Sequence, residues 1–305
     1  MTLATPVLRG GTRASALARW QAARVAEALR TLAGLTCEEV LIATEGDRVP
    51  DRPLPEIGGE GVFTEAIETA LRDGAIDFAV HSLKDLPVEP SPGLCLAAIG
   101  MREDPRDVLI AREPWTLATL PPGATVGTCS TRRSAQLLAA RPDLAMAPLR
   151  GNVDTRVRKA LRGDYDAIVI AAAGASRLGL ADAIREFLPL DVVMPAPGQA
   201  ALAVQCRESD AATRAALAAL DEPAVRAAVE AERAFLEGLG GGCAAPIAAH
   251  ASADAARVAL RGVVASFDGR RVVRVEGNAP AAESRALGLS LARQASEAGA
   301  LELIA

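Results

Sequence analysis

Along the first two-thirds of the chain, short apolar runs alternate with stretches whose apolar residues recur at helical spacing. PVLRGGT (6–12) predicts a strand, followed by an amphipathic helix over about 15–33. CEEVLIAT (37–44) predicts a second strand, GVFTEAIETALRDG (61–74) a helix closed by glycine, and AIDFAV (75–80) a third strand. From about residue 106 the same order restarts, with DVLIA, ATVGT, a helix from 131, AMAPL, a helix from 153, YDAIVIAAA and a helix from 174. Strands separated by helices imply parallel βαβ units. A further strand, ALAVQC (201–206), is placed to return to the first block.

The pattern then changes. A long helix over about 223–238 leads into GLGGGCAAPIAAH (238–250), and IAAHA, RVALRGVVAS and RRVVRVEG predict strands before a closing helix over about 281–299. The fold class expected is α/β. Two α/β domains, residues 1–100 plus 200–218 and residues 105–195, face each other across a cleft, and residues 222–305 form a small α+β domain. The long loop DRVPDRPLPEIGGEG (47–61), rich in proline and glycine, reads as a flexible lid.

Composition narrows the setting. Half of the 305 residues are apolar but only 3% are aromatic, so the core must be built from Ala, Val, Leu and Ile. No apolar run approaches the roughly 18 residues of a membrane helix, so no membrane association is expected. The N-terminal residues show no basic region followed by an apolar block, hence no signal peptide. Five cysteines (37, 95, 129, 206 and 243) without a CxxC pair fit reduced thiols in a cytoplasmic protein, expected to be a monomer. Two histidines without ligand spacing argue against a metal site.

Charge is more specific. The chain nets −5, yet residues 130–177 carry nine cations against four acids, a local +5 that leaves −10 for the rest. A confined basic field suggests a small anionic ligand, whereas a nucleic acid would need a broad basic face. Of 33 Lys and Arg residues only Lys84 and Lys159 are lysine, which draws attention to AVHSLKDLP.

Candidate chemistry collects where strands end, the usual ligand edge of open α/β sheets. The third strand runs into His81-Ser82-Leu83-Lys84-Asp85, and ATVGT into Thr128-Cys129-Ser130 with Arg132 and Arg133 just beyond. Arg150, Arg156 and Arg177 follow later strands. With Ser130 as N-cap, Arg132 and Arg133 fall in a first turn, where a cation is disfavoured by roughly 0.3–1 kcal/mol. A bound anion would offset that cost, and arginine forks suit carboxylates. Asp85, among cations, is kept ionised, suited to accept N–H hydrogen bonds and to stabilise positive charge on a ligand. The bland alternative is an Asp–Lys surface pair. Cys243 sits among glycines, which let another molecule come close to the backbone. A thiol that anchors something once needs no histidine partner.

These motifs together resemble the hydroxymethylbilane synthase (porphobilinogen deaminase) family. GTRASALARWQA (11–22), GVFT (61–64), AVHSLKDLP (79–87), REDPRDV (102–108), VGTCSTRRSAQL (126–137), LRGNVDTR (149–156), AGASRLGL (173–180), PAPGQAAL (195–202), AER (231–233) and GGCAAPI (241–247) occur in the family's order. The resemblance implies a dipyrromethane cofactor held by a thioether at Cys243. It implies that four porphobilinogen molecules lose ammonia and are joined head-to-tail on that cofactor, water then releasing hydroxymethylbilane. It assigns Asp85 to the pyrrole N–H groups and the developing cation. Ser82, Lys84, Thr128, Ser130, Arg132, Arg133 and Arg156 are assigned to the cofactor carboxylates. Arg13, Ser15, Gln21, Arg150 and Arg177 are assigned to the substrate, with Phe63 packing on a pyrrole. The family's first two domains resemble periplasmic binding proteins.

Some positions depart from the family's pattern. Glu45, Glu56 and Glu60 stand in the lid where several relatives are basic, Cys129 replaces a common serine, Ala200 a usual glycine, and Ala244-Ala245 bulkier residues. The rival reading is a non-catalytic two-domain anion-binding protein of the periplasmic type, which accounts for the arginines but not for Cys243 or Asp85.

Overall fold

The computed structural model describes residues 7–44, 64–242 and 244–304. In chain order, β1 (Val7–Thr12) leads to α1 (Ala16–Ala33), β2 (Thr36–Leu41), α2 (Glu65–Arg72), β3 (Phe78–Ser82) and β4 (Leu94–Gly100). Then come β5 (Asp107–Ile110), β6 (Thr125–Gly127), α3 (Thr131–Ala140), β7 (Ala145–Ala147), α4 (Val153–Arg162), β8 (Ala167–Ala171), α5 (Ala172–Arg177) and β9 (Ile184–Phe187). β10 (Leu202–Arg207), α6 (Ala211–Leu217), α7 (Pro223–Gly238), β11 (Ile247–Ala253), β12 (Arg257–Ala265), β13 (Val272–Pro280), α8 (Ser284–Glu297) and α9 (Leu301–Ile304) complete it.

The chain divides into two compact units, one of Met1–Met101 and Ala201–Pro223, the other of Arg102–Ala200 and Ala224–Ala305. The first holds a sheet in the order β2-β1-β3-β10-β4, the second a sheet in the order β7-β6-β8-β5-β9. The two sheets repeat one plan. Four strands run parallel, and one strand, β10 or β5, lies antiparallel between the third strand and the edge strand. The purely parallel βαβ reading is corrected by these two antiparallel strands. The edge strands β4 and β9 and the helix α6 are absent from the pattern of apolar runs described above. LCLAAIG does not alternate, and IREF is four residues long, so neither carries a clear two-residue period.

Local chemistry sets the helix ends. Ser15 Oγ accepts from the Ala18 amide at 3.3 Å to cap α1, whose C-cap Gly34 has φ 65°. The first unit packs Val25, Leu29, Phe78, Val80, Leu202 and Val204 against one face of its sheet, and Ile67, Leu71, Ile76 and Ala79 against the other. The second unit's sheet is likewise covered on both faces.

The C-terminal segment, expected as a separate domain, has its own core but belongs to the second compact unit. Its three strands run antiparallel in the order β11-β12-β13. Phe235 of α7 is fully buried against this sheet, worth about 2–3 kcal/mol by its apolar area. The β12–β13 turn rests on α3. At Gly269 (φ 73°) a Cβ would lie 2.5 Å from the Ala135 carbonyl oxygen, so only glycine allows this approach. Glu232 of α7, buried, accepts from Arg102 (2.8 Å) and from the Gly198 and Ala251 amides (both 2.7 Å). Burial raises its pKa against the pull of Arg102 and those two amides. No described helix is long and apolar enough to cross a membrane.

Candidate active site

In the first unit the candidates gather at the C-terminal ends of β1 and β3. β3 runs into a short 3-10 turn, Leu83–Asp85. Leu83 is buried and its amide donates to the Ala201 carbonyl at 3.0 Å, which fixes the turn to β10's approach. Asp85 ends that turn with its side chain exposed. A carboxylate on a turn with a buried anchor is held in place yet open to a ligand. Ser82 is tied in differently, its Oγ accepting from Gln21 Nε2 at 2.9 Å. That bond joins two candidates, one on α1 and one on β3. Ser15 serves as the N-cap of α1, so its hydroxyl has a structural use as well.

In the second unit the decisive element is α3. Ser130 caps it, Oγ accepting from the Arg133 amide at 3.4 Å, while Thr128 Oγ1 accepts from the Ser130 amide at 3.1 Å. Arg132 and Arg133 follow in the first turn, as the sequence implies, but they are buried with 5% and 6% exposure. Their counter-charge is Asp107, the first residue of β5 and itself fully buried. Arg132 Nη1 donates to Asp107 Oδ2 (2.8 Å) and to the Met194 carbonyl (2.6 Å). Arg133 donates to Asp107 Oδ1 through Nε (3.0 Å) and Nη2 (2.7 Å). The cost of two cations in a first turn is therefore offset inside the protein and does not by itself require a bound anion.

The electrostatics follow from that geometry. Burial pushes the Asp107 carboxyl up, but the charges of Arg132 and Arg133 and their hydrogen bonds override it, holding the carboxyl well below the usual carboxylate range. Burial also lowers Arg132 from its ordinary value, with Asp107 opposing. A guanidinium stays protonated throughout. Two cations on one carboxylate leave the trio at +1. Arg132 Nη2 and Arg133 Nη1 have no acceptor among the described residues. Each fork is half used.

The other arginines differ in how far they are committed. Arg156 Nε donates to the Gly151 carbonyl at 2.7 Å, and Lys159 Nζ donates to the Arg150 carbonyl at 3.3 Å. The Arg150 side chain, half-buried, makes no hydrogen bond or ion pair among the described residues. Arg177 is buried, with Nε on Glu103 (2.9 Å) and Nη2 on the Ala200 carbonyl (2.7 Å). Much of the remaining basic excess is spent at the surface in the pairs Arg141–Asp143, Arg158–Asp154 and Arg162–Asp164. The local field is narrower than the sequence count suggests, centred on Arg132, Arg133 and Arg150.

Cys243 and Phe63 lie outside the described residues, as do Glu45, Glu56, Glu60 and the proposed lid. The residue after Cys243 is described: the Ala244 carbonyl accepts from Thr131 Oγ1, in the first turn of α3, at 2.7 Å. Beside this contact a cavity of about 230 Å³ is lined by Thr128, Cys129, Thr131, Ser134, Met146 and Phe267, among others. Among the described residues no group of three or more His, Cys, Asp or Glu side chains is arranged to hold a metal.

Asp107, Thr131 and Gln199 were not singled out by sequence. Asp107 stands within REDPRDV, and an acid opening the apolar strand DVLI was the available signal. Gln199 Nε2 donates to Asp107 Oδ1 (3.0 Å) and to the Pro105 carbonyl (2.7 Å).

Comparisons with known proteins bear on the family of the chain. A family described as porphobilinogen deaminase, dipyromethane cofactor binding domain, matches residues 8–215, and its C-terminal domain matches residues 226–297. The chain is 48% identical to the porphobilinogen deaminase of Syntrophotalea carbinolica, over 99% of this chain and 96% of that one. It is 47% identical to the protein of that name from Moorella thermoacetica, covering 97% and 95%. With the one from Roseiflexus castenholzii identity is 48%, covering 97% of each. Among solved structures, a periplasmic substrate-binding protein from Coxiella burnetii is similar with a TM-score of 0.45 at 18% identity, covering 72% of this chain and 94% of that one.

Proposed function

This chain belongs to the porphobilinogen deaminase family, and from that premise we propose the reaction it runs and the residues that run it. It is a transferase that deaminates four porphobilinogen molecules and joins them head-to-tail, releasing hydroxymethylbilane for tetrapyrrole and heme biosynthesis. The observation that carries this reading is the half-used pair Arg132 and Arg133 on α3, the same helix whose first turn bonds the residue after Cys243.

The residues suit a dipyrromethane group. Its carboxylates need cationic donors in a place poor in water, and Arg132 Nη2 and Arg133 Nη1 are such donors at a net +1. Ser130 and Thr128 sit at the positive end of the α3 dipole, which also favours an anion. When bound through Cys243, the cofactor would supply the free pyrrole carbon to which the first substrate is joined, each later one joining the ring added before it. In this reading Ser82, Lys84 and Arg156 complete its carboxylate contacts. Arg13, Ser15, Gln21, Arg150 and Arg177 receive the acetate and propionate groups of the incoming porphobilinogen, and Phe63 packs on a ring. Arg150, whose guanidinium has no hydrogen-bonding or ion-pair partner among the described residues, is the best prepared of these.

Asp85 does the electrostatic work. The substrate's amine is protonated at neutral pH and departs as ammonia without an acid. Positive charge then grows on the carbon it leaves, and the exposed Asp85 carboxylate provides a fixed negative partner and an acceptor for pyrrole N–H groups. The protein is read as a cytoplasmic monomer with no nucleic-acid partner, its three-domain organisation as described from sequence. The non-catalytic alternative has no use for Cys243.

The test is the intact mass of the purified protein. The expected result is a mass above that of the chain by one dipyrrole, lost in Cys243→Ser. A parent protein at chain mass that gains nothing on incubation with porphobilinogen would overturn the reading.

A further inference from the structure

Burying two guanidiniums against one carboxylate is an unbalanced arrangement. A purely structural pair would need a single arginine, since a second buried cation without its own counter-charge is costly. The side chains of Arg132 and Arg133 are 6% and 8% exposed, and that of Asp107 is 0% exposed. No second carboxylate bonds either guanidinium among the described residues.

The carboxylate is itself held from behind. Gln199 spans the Pro105 carbonyl and Asp107 Oδ1. Arg132 is fixed on its far side by the Met194 carbonyl, and Met194 in turn is held at both its amide (2.8 Å) and its carbonyl (3.0 Å) by Gln136. Every group that touches the arginines has a second partner that fixes its own place. The two Asp107 oxygens are also divided between the arginines, Oδ2 to Arg132 and Oδ1 to Arg133. One carboxylate thus sets the spacing of two forks.

We infer that Asp107 is a positioning residue for catalysis: it clamps Arg132 and Arg133 in one spacing and leaves Arg132 Nη2 and Arg133 Nη1 as a paired donor for a ligand carboxylate. The inference rests on the function proposed above. Asp107 touches no ligand and acts through the arginines. An amide in its place would turn an N–H group toward a guanidinium and remove the charge that holds both. A glutamate would restore the charge on a longer arm and reset the spacing.

The experiment compares the parent, Asp107→Asn and Asp107→Glu in four readouts: fraction carrying the dipyrrole by intact mass, thermal midpoint, and kcat and KM of the loaded fraction. For Asp107→Asn we expect a reduced loaded fraction, and a kcat of that fraction lower by about 10- to 100-fold, the usual effect of misplacing a binding group by an ångström. KM should stay within about threefold, because substrate binding is assigned to other arginines. Asp107→Glu should recover the thermal midpoint but not the loading. Full loading with parental kcat in Asp107→Asn overturns the inference, as does recovery of both stability and loading by Asp107→Glu, which would leave charge balance alone. Failure of both variants to fold also overturns it, making Asp107 a folding residue. A parent without the added mass removes the proposed function itself, whatever the variants do.

Discussion

Thr131 Oγ1 and the carbonyl oxygen of Ala244 lie 2.7 Å apart, joined by a hydrogen bond across 113 positions of sequence. The bond ties the first turn of α3, with its two buried arginines, to the residue that follows Cys243. It links the helix turn that carries the two buried arginines to the neighbour of the proposed attachment residue through one side chain.

Thr131→Val keeps the shape of the side chain and removes the donor. The expected cost is about 0.5–1.5 kcal/mol in stability, the net worth of one hydrogen bond, read by urea unfolding. Dipyrrole loading should also slow, followed by intact mass during incubation of the apoprotein with porphobilinogen. Unchanged stability and loading would show the contact to be incidental.

Asp85→Asn retains the size of the side chain and one acceptor but removes its charge. Losing one preorganised stabilising group costs roughly 2.7–4 kcal/mol, or about 100- to 1,000-fold in rate. Asp85→Glu should keep more activity than Asp85→Asn, and binding should suffer less than turnover in both. Single-turnover rates with porphobilinogen on loaded protein decide the matter. An Asn variant faster than the Glu variant would make Asp85 a positioning group.

Ala200 has φ 73°, in the left-handed region, and its carbonyl accepts from the Glu103 amide and Arg177. Left-handed backbone costs a residue with a Cβ about 1–2 kcal/mol, while glycine loses about 0.5–1 kcal/mol more in conformational entropy on folding. Ala200→Gly should therefore stabilise the protein by about 0.5–1 kcal/mol in chemical denaturation. A lower midpoint would contradict it.

Acid stability should depend on His81. Burial pushes its pKa down to about 4, Glu68 partly opposing, and its Nε2 has no hydrogen-bond partner among the described residues. A folded-state pKa below the unfolded value means that the unfolded chain takes up the proton first. The stability is complete above the ordinary histidine range, near pH 6.5, and drains away as pH falls toward about 4. The loss amounts to about 3 kcal/mol by linkage. His81→Gln should flatten that limb, measured by urea unfolding between about pH 7.5 and 4.5. The second histidine, His250, also pushed down to about 4 by burial, leaves a residual slope in that variant. An unchanged slope would remove His81 from the acid response.

The fold class was legible in the sequence because local periodicity reports it: the runs beginning at Val7, Thr36, Asp107 and Ala167 alternate with helices that Ser15 and Ser130 cap. The candidate residues were legible because their motifs are contiguous, as in HSLKD and TCSTRR. Pairing across long stretches of chain was not. The antiparallel entry of β5 and β10 and the edge strands β4 and β9 depend on partners far away in sequence, and no local period encodes strand direction. The same holds for charge. A sequence shows Arg132 and Arg133 as two cations awaiting an anion, because a helix end is a local feature. Asp107, 25 residues from Arg132, becomes their partner only when the fold brings the start of β5 to the side chains of the first turn of α3. Burial then decides how much that pairing is worth, since the same charges in water would scarcely hold each other.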